Sequence, residues 1–245
     1  MTSPASFPAS FDDLLARPLK PDADWRFSLD RPGGRRRAWA NMVLKDHQWL
    51  RFPWSRLRPV GEGGRLYRAG QPNPWQLRRY RDRGIATIIN LRGRRDDGTY
   101  ALEQDACDRL GLDLVNFQVG SREPPRPDII HNAAELFRRI RYPALVHCKA
   151  GADRAGMMST LYLIFVEGWS VDRAQQAALS LRYGHIRGSR AGVLDHFFET
   201  YTAFNAARPT PFLTWVDEVY RFETMRDGYR AGKAADALND MLLRE

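Results

Sequence analysis

Cysteine is scarce in this chain: Cys107 and Cys148 are the two among 245 residues. A pair so far apart is no disulfide framework. Neither lies in a CxxC or a Cys/His cluster that would hold zinc, so no metal and no cofactor are expected. Free thiols fit a reducing compartment. Lysine is scarce too, being confined to Lys20, Lys45, Lys149 and Lys233, so the net charge of +9 is almost wholly arginine. That charge favours anionic partners such as phosphate esters, acidic lipid headgroups or nucleic acid, without choosing among them. Nucleic acid rests on net charge alone and is set aside. Long apolar runs are also missing. "GMMSTLYLIFVEGW" is too short to span a bilayer and reads as a buried helix. The opening "MTSPASFPASFDDLL" lacks the basic start and sustained apolar run of a secretory signal. "RRRAWANMVLKDH" briefly resembles a twin-arginine signal, but it starts too late, and Lys45, Asp46 and His47 cut its apolar part short. A cytoplasmic location is therefore expected.

What is present is an ordered alternation. Residues 1–34, with Pro4, Pro8, Pro18, Pro21 and Pro32, read as an extended arm. Residues 35–64 are basic and aromatic: Trp39, Trp49, Phe52 and Trp54 stand among arginines. This segment reads as a helix docked on the core with its arginines outward, or as a surface meeting an anionic membrane. From Arg65 short apolar strands alternate with helices. "RLYRAG", "IATIINLR", "LDLVNFQV" and "PALVH" read as strands. "NPWQLRRYRDRG", "TYALEQDACDRLG", "IIHNAAELFRRI", "AGMMSTLYLIFVEG" and "SVDRAQQAALSLR" read as helices. Gly111 closes the second of these helices, which carries Cys107 as a small core residue, and Asp128 and Ser170 are expected as N-caps. The pattern predicts an α/β fold with a mostly parallel central sheet flanked by helices. The main domain is placed at 65–204, with a helical extension over 205–245.

Chemistry is expected at "LVHCKAGADRAG". A strand ends at Cys148, a loop of small residues follows, and an apolar helix begins. In an open α/β sheet, ligands bind at the carboxyl ends of strands. The N–H groups of Lys149, Ala150, Gly151, Ala152, Asp153 and Arg154 can turn inward as an anion nest at a helix N-terminus. Gly151 and Gly156 permit the turn and a close backbone approach. Such a field favours a thiolate at Cys148, and the planar fork of Arg154 suits two phosphate oxygens. A Walker loop is excluded, because Met157 and Met158 stand where Lys and Ser/Thr are required.

"HCKAGADRAG" resembles the H-C-x5-R-S/T signature of the cysteine-dependent protein tyrosine and dual-specificity phosphatases. The likeness extends upstream through "LYRAGQPNPWQLRRYRDRGIATIINLR" and downstream through "SLRYGHIRGSRAGVLDHFFETY", and covers about Arg65 to Phe204. It is similar to the compact bacterial branch. The resemblance implies phosphate monoester hydrolysis through a cysteinyl-phosphate at Cys148, with Arg154 holding the phosphoryl group. The substrate would be a phosphoprotein, a phosphoinositol, a phospholipid or a sugar phosphate. A lipid-directed phosphatase is the second reading, suggested by Lys149 and by segment 35–64. A catalytically weak phosphate-binding scaffold is the third. Oligomeric state is not addressed by the sequence.

The family usually draws a general acid from the loop after the preceding strand, here "VGSREPPRPD". Glu123 is the first choice and Asp128 the alternative, with Asp113 weaker. The family's Ser or Thr after the arginine is Ala155, which cannot donate to the sulfur, and a helix would carry Ser159 and Thr160 away from it. His147 reads as structural, with its ring near the Cys148 backbone. Arg182, His185 and Arg187 are candidates for a basic substrate rim, and Gln175 or Gln176 for aligning water.

Overall fold

A computed structural model describes residues 28–46, 56–120 and 122–229. In chain order these form α1 (Gly34–Ala40), which runs on into a π turn (Asn41–Lys45), then β1 (Arg58–Val60), β2 (Leu66–Ala69), α2 (Pro74–Arg81), β3 (Thr87–Asn90), α3 (Gly98–Leu110) and β4 (Asp113–Asn116). There follow α4 (Pro127–Arg139), β5 (Ala144–His147), α5 (Asp153–Phe165), α6 (Val171–Ala178), α7 (Val193–Ala207), α8 (Phe212–Glu218) and α9 (Phe222–Gly228). Local chemistry sets several of these boundaries. Asn73 accepts from the Gln76 N–H while the Gln76 side chain accepts from the Asn73 N–H, with Pro74 opening the helix. The Asp97 carboxylate caps α3 at Tyr100 N, and Gly111, at φ +67°, closes it.

The five strands order as β1-β2-β5-β3-β4. β1 is antiparallel to β2 and every other pairing is parallel. Side chains alternate across the sheet. Leu66, Ile89 and Val146 pack on one face with residues of α4, α5 and α7. Ala69, Ile88 and Leu145 pack on the other with Leu77, Tyr80, Ala106 and Cys107 from α2 and α3. The result is the α/β architecture that the alternation predicts, with β5 central and wholly buried.

Three details differ from the sequence reading. The sheet takes in Arg58–Val60, upstream of Arg65. Pro59 sits there on an edge strand, where its missing N–H is tolerated. Asp128 is not an N-cap: Pro127 starts α4 two residues early, Arg126 stands at the cap, and Asp128 pairs with Arg126 at 3.1 Å on the surface. Ser170 does hold the cap position of α6, but its side chain makes no cap bond.

The flanking segments join the core where they are described. Ala38 of α1 lies so close to α3 that a Cβ at Gly98 would meet its Cα at 2.6 Å. Arg35 pairs with Asp105, while Arg36 and Arg37 are exposed, as a docked helix requires. The aromatics Trp49, Phe52 and Trp54, the arm before residue 28 and the chain after 229 lie outside the described residues. Among the described residues, no helix is long and apolar enough to cross a membrane. At the other end, Phe197 of α7 meets Trp215 and Tyr220 with ring centroids 5.5 and 4.9 Å apart. Each such aromatic pair contributes about 0.5–1.5 kcal/mol beyond its buried area.

Candidate active site

β5 delivers Cys148 to the carboxyl end of the sheet, between the ends of β2 and β3. Its side chain is wholly buried, and Sγ accepts the Gly151 N–H at 3.1 Å. Gly151 has φ +81°, and a Cβ there would meet the Ala69 carbonyl carbon and Gly70 N at 2.6 Å. Both facts demand glycine. At Gly156 a Cβ would come within 2.7 Å of Leu179 Cδ2, so glycine lets α5 close on the end of α6. Ala150 and Ala152 are buried, and Lys149 and Arg154 are half-buried. The loop thus gathers one thiol, its backbone N–H groups and one guanidinium within seven consecutive residues at the start of a 13-residue helix. That set suits a tetrahedral oxyanion beside a sulfur nucleophile.

Four supports for this loop come from remote sequence. Arg68, on β2, is 2% exposed. It donates through Nη2 to the carbonyls of Gly151 and Ala152 at 2.8 Å each, and through Nη1 to Ala178 O at 2.6 Å. With these carbonyls held behind the loop, the amides that follow them face forward. Burial pulls the Arg68 pKa down to about 10, against the attraction of Tyr183, Cys148 and Asp153. Gln71 N donates to Lys149 O at 3.1 Å, and Gln71 Oε1 accepts from Arg92, which is clasped by both oxygens of Asp46. His147 is wholly buried, with Nδ1 3.4 Å from Cys148 O and Nε2 2.7 Å from the Glu103 carboxylate.

The fourth support moves His185 from the expected rim to the interior. It is 3% exposed, with Nδ1 at 2.6 Å from Asp153 and Nε2 at 2.6 Å from Asp195. Burial pulls its pKa down, but the hydrogen bonds from Asp153 and Asp195 outweigh that and raise it to about 9. An imidazolium bonded on both sides therefore fixes the first residue of α5 to α7. Gln175 is buried and donates to Asp195 at 3.1 Å, so it braces this network, while Gln176 is exposed. Arg187 is exposed and pairs with Glu199. Arg182 is exposed near Tyr183.

The acid candidates separate by position. Asp113 begins β4, in register with the first residues of β3, which in turn pair with the start of β5. Cys148 follows the other end, about 13 Å away at strand rise. Asp113 instead pairs with Arg141 at 2.6 Å. Glu123 lies after the carboxyl end of β4. It lines a small cleft of about 10 Å³ with Val119 and Met157, the latter in the first turn of α5. The Tyr220 hydroxyl holds this loop by donating to Pro125 O at 3.0 Å. Ala155 is wholly buried; Ser159 donates to Ala155 O and Thr160 to Gly156 O, so both hydroxyls are taken up along the helix.

Sequence reading missed Arg68, Glu103, Gln71 and the Asp46–Arg92 pair. Arg68 carried one available signal: a charged residue inside a strand, one residue before its end.

Residues 57–190 match the family described as DSP-PTPase phosphatase fused to NAD+ kinase. Over 102 residues the chain is 44% identical to the human phosphatidylglycerophosphatase and protein-tyrosine phosphatase 1, covering 39% of this chain and 50% of that protein. The chain thus spans half the length of that relative. Among solved structures, PTPMT1 aligns with a TM-score of 0.46 at 20% identity, over 62% of this chain and 100% of that one. TpbA of P. aeruginosa aligns with a TM-score of 0.45 at 17% identity, over 59% and 86%.

Proposed function

This chain belongs to the phosphatase family that pairs a dual-specificity-type protein tyrosine phosphatase with NAD+ kinase, and from that premise we propose that it hydrolyses phosphate monoesters through a cysteinyl-phosphate on Cys148. The observation that carries this reading is the Gly151 N–H donated to Cys148 Sγ in a buried turn at the start of α5. It makes the sulfur an acceptor, the role a thiolate fills.

In the first step the Cys148 thiolate attacks phosphorus and the ester P–O bond breaks. Arg154 and the loop N–H groups hold the equatorial oxygens, and the leaving oxygen takes a proton from Glu123. In the second step water attacks phosphorus, Glu123 accepts its proton, and the S–P bond breaks to return thiolate and inorganic phosphate. Glu123 is preferred to Asp128 because it stands nearer the strand end and beside Met157, whereas Asp128 is engaged by Arg126 on the surface. The substrate is a phosphoprotein, an aryl ester at tyrosine or an alkyl ester at serine or threonine. A phospholipid phosphate is the second reading, favoured by the name of the human relative and by Lys149 in the loop.

Turnover of a generic aryl phosphate tests the reading. The parent should be active without added metal, and Cys148→Ser should lower kcat by at least about 10³-fold. An inactive parent would favour a phosphate-binding scaffold, and activity surviving in Cys148→Ser would sink the nucleophile assignment.

A further inference from the structure

A second concentration of positive charge lies behind the loop. Where β1 pairs with β2 at the sheet edge, a cavity of about 600 Å³ opens between Arg58, Arg68, Trp169, Ala178, Arg182 and Tyr183. The guanidinium carbons of Arg58, Arg68 and Arg182 stand 5.5, 4.1 and 5.7 Å from the centre of the Tyr183 ring. Three cations around one ring repel one another, and the ring's π face offsets only part of that. No carboxylate lines the cavity among the described residues. Two acidic groups near β1 are committed elsewhere. Glu167 accepts from the N–H groups of Glu62 and Gly63, and Glu62 pairs with Arg173.

Arg68 adds the second observation. Its two terminal nitrogens donate to carbonyl oxygens of the loop and of α6, but its buried Nε–H has no acceptor among the described residues. A buried guanidinium normally has all its donors met. Here burial has already pulled its pKa down to about 10. The charge and the open volume point the same way.

We propose that this cavity is a second anion site that takes a compact phosphate-bearing ligand, held by Arg58 and Arg182 at its mouth and by Arg68 at its back. It is separate from the Cys148 site. The carbonyls of Gly151 and Ala152 face Arg68, while the Gly151 N–H faces Cys148 Sγ. Arg68 is therefore the shared wall: it lines the cavity and holds the loop and α6 through its three bonds. The ligand source is a soluble phosphate or a lipid headgroup, since both present the same group.

The test begins from Arg154→Ala, which removes the clamp of the Cys148 loop. Calorimetric titration of this protein with inorganic pyrophosphate should still show binding. Adding Arg58→Ala and Arg182→Ala should weaken it by about tenfold or more. Arg182 is exposed and Arg58 half-buried, and a melting curve confirms the fold. A control that adds Arg78→Ala and Arg138→Ala, two exposed arginines elsewhere, should change binding by less than about twofold. Sedimentation with phosphatidylcholine vesicles containing phosphatidic acid runs in parallel. Binding to vesicles alone assigns a headgroup, and binding to pyrophosphate alone assigns a soluble ligand, provided Arg58 and Arg182 control it. The proposal is overturned if neither probe binds, if Arg154→Ala abolishes binding, or if the control pair matters as much as Arg58 and Arg182.

Discussion

Cys107 and Cys148 are nearly equal in burial, at 1% and 0% exposure, yet their surroundings are opposite. Cys107 lies inside α3, where the neighbouring N–H groups are committed to carbonyls one turn back. Burial pushes its thiol well above the ordinary range, and the carboxylates of Glu103 and Asp108 push it further. Cys148 lies between a strand and a helix, where amide donors are left over, and one of them points at Sγ. Burial alone therefore does not tell the two thiols apart. The backbone donors around the sulfur do.

The largest test of this contrast is alkylation by iodoacetate, whose carboxylate suits an anion cradle. At pH 7, Cys148 should be modified at least about 100-fold faster than Cys107, as read by peptide mass spectrometry. Inorganic phosphate should protect Cys148. Equal rates, or faster loss of Cys107, would break the comparison.

A smaller effect sharpens it. Cys148 lacks a hydroxyl donor from the position after Arg154, because that residue is Ala155 and the Ser159 and Thr160 hydroxyls bond along α5. Under the proposed mechanism, Ala155→Thr supplies a donor to the departing thiolate. It should raise kcat about three- to tenfold while leaving a rapid first-turnover burst unchanged. The wholly buried site makes some loss of stability a parallel readout. An unchanged kcat with no burst in the parent removes the second step as the slow one.

A third effect concerns pH. The folded-state pKa of His185 is raised, from 6.5 to about 9. Its contribution is thus complete below about pH 6.5 and fades as pH rises through about 9. Denaturant midpoints should fall between pH 7 and 10 by the equivalent of roughly 2 kcal/mol in the parent. In His185→Asn the fall over that window should vanish. A parallel decline in both proteins would show that His185 does not hold α5.

Most of the sheet and helices was legible because alternation of apolar strands and amphipathic helices is a local signal. Cys148, Gly151 and Arg154 were legible for the same reason: they share one loop. The rest of the site was not. Arg68 meets the loop across more than eighty residues, and Asp46 meets Arg92 across 46. Glu103 reads as an ordinary helix-surface glutamate until α3 turns it toward His147. His185 read as surface because a histidine in a Gly- and Arg-rich turn has no local partner, whereas its two carboxylates come from α5 and α7. Asp128 misled because Asp is a good cap, yet Pro127 had already opened the helix.

The link from Asp195 through His185 to Asp153 has a consequence for the order of assembly. A ribosome adds residues from the amino end, and Asp195 leaves it only after Cys148 and Arg154 are already out. A nascent chain stopped short of α7 owns the thiol, the glycine turn and the clamp, but not the anchor that fixes their helix. Release of α7 is then the event that matures the loop, so the thiol is present before its final geometry is.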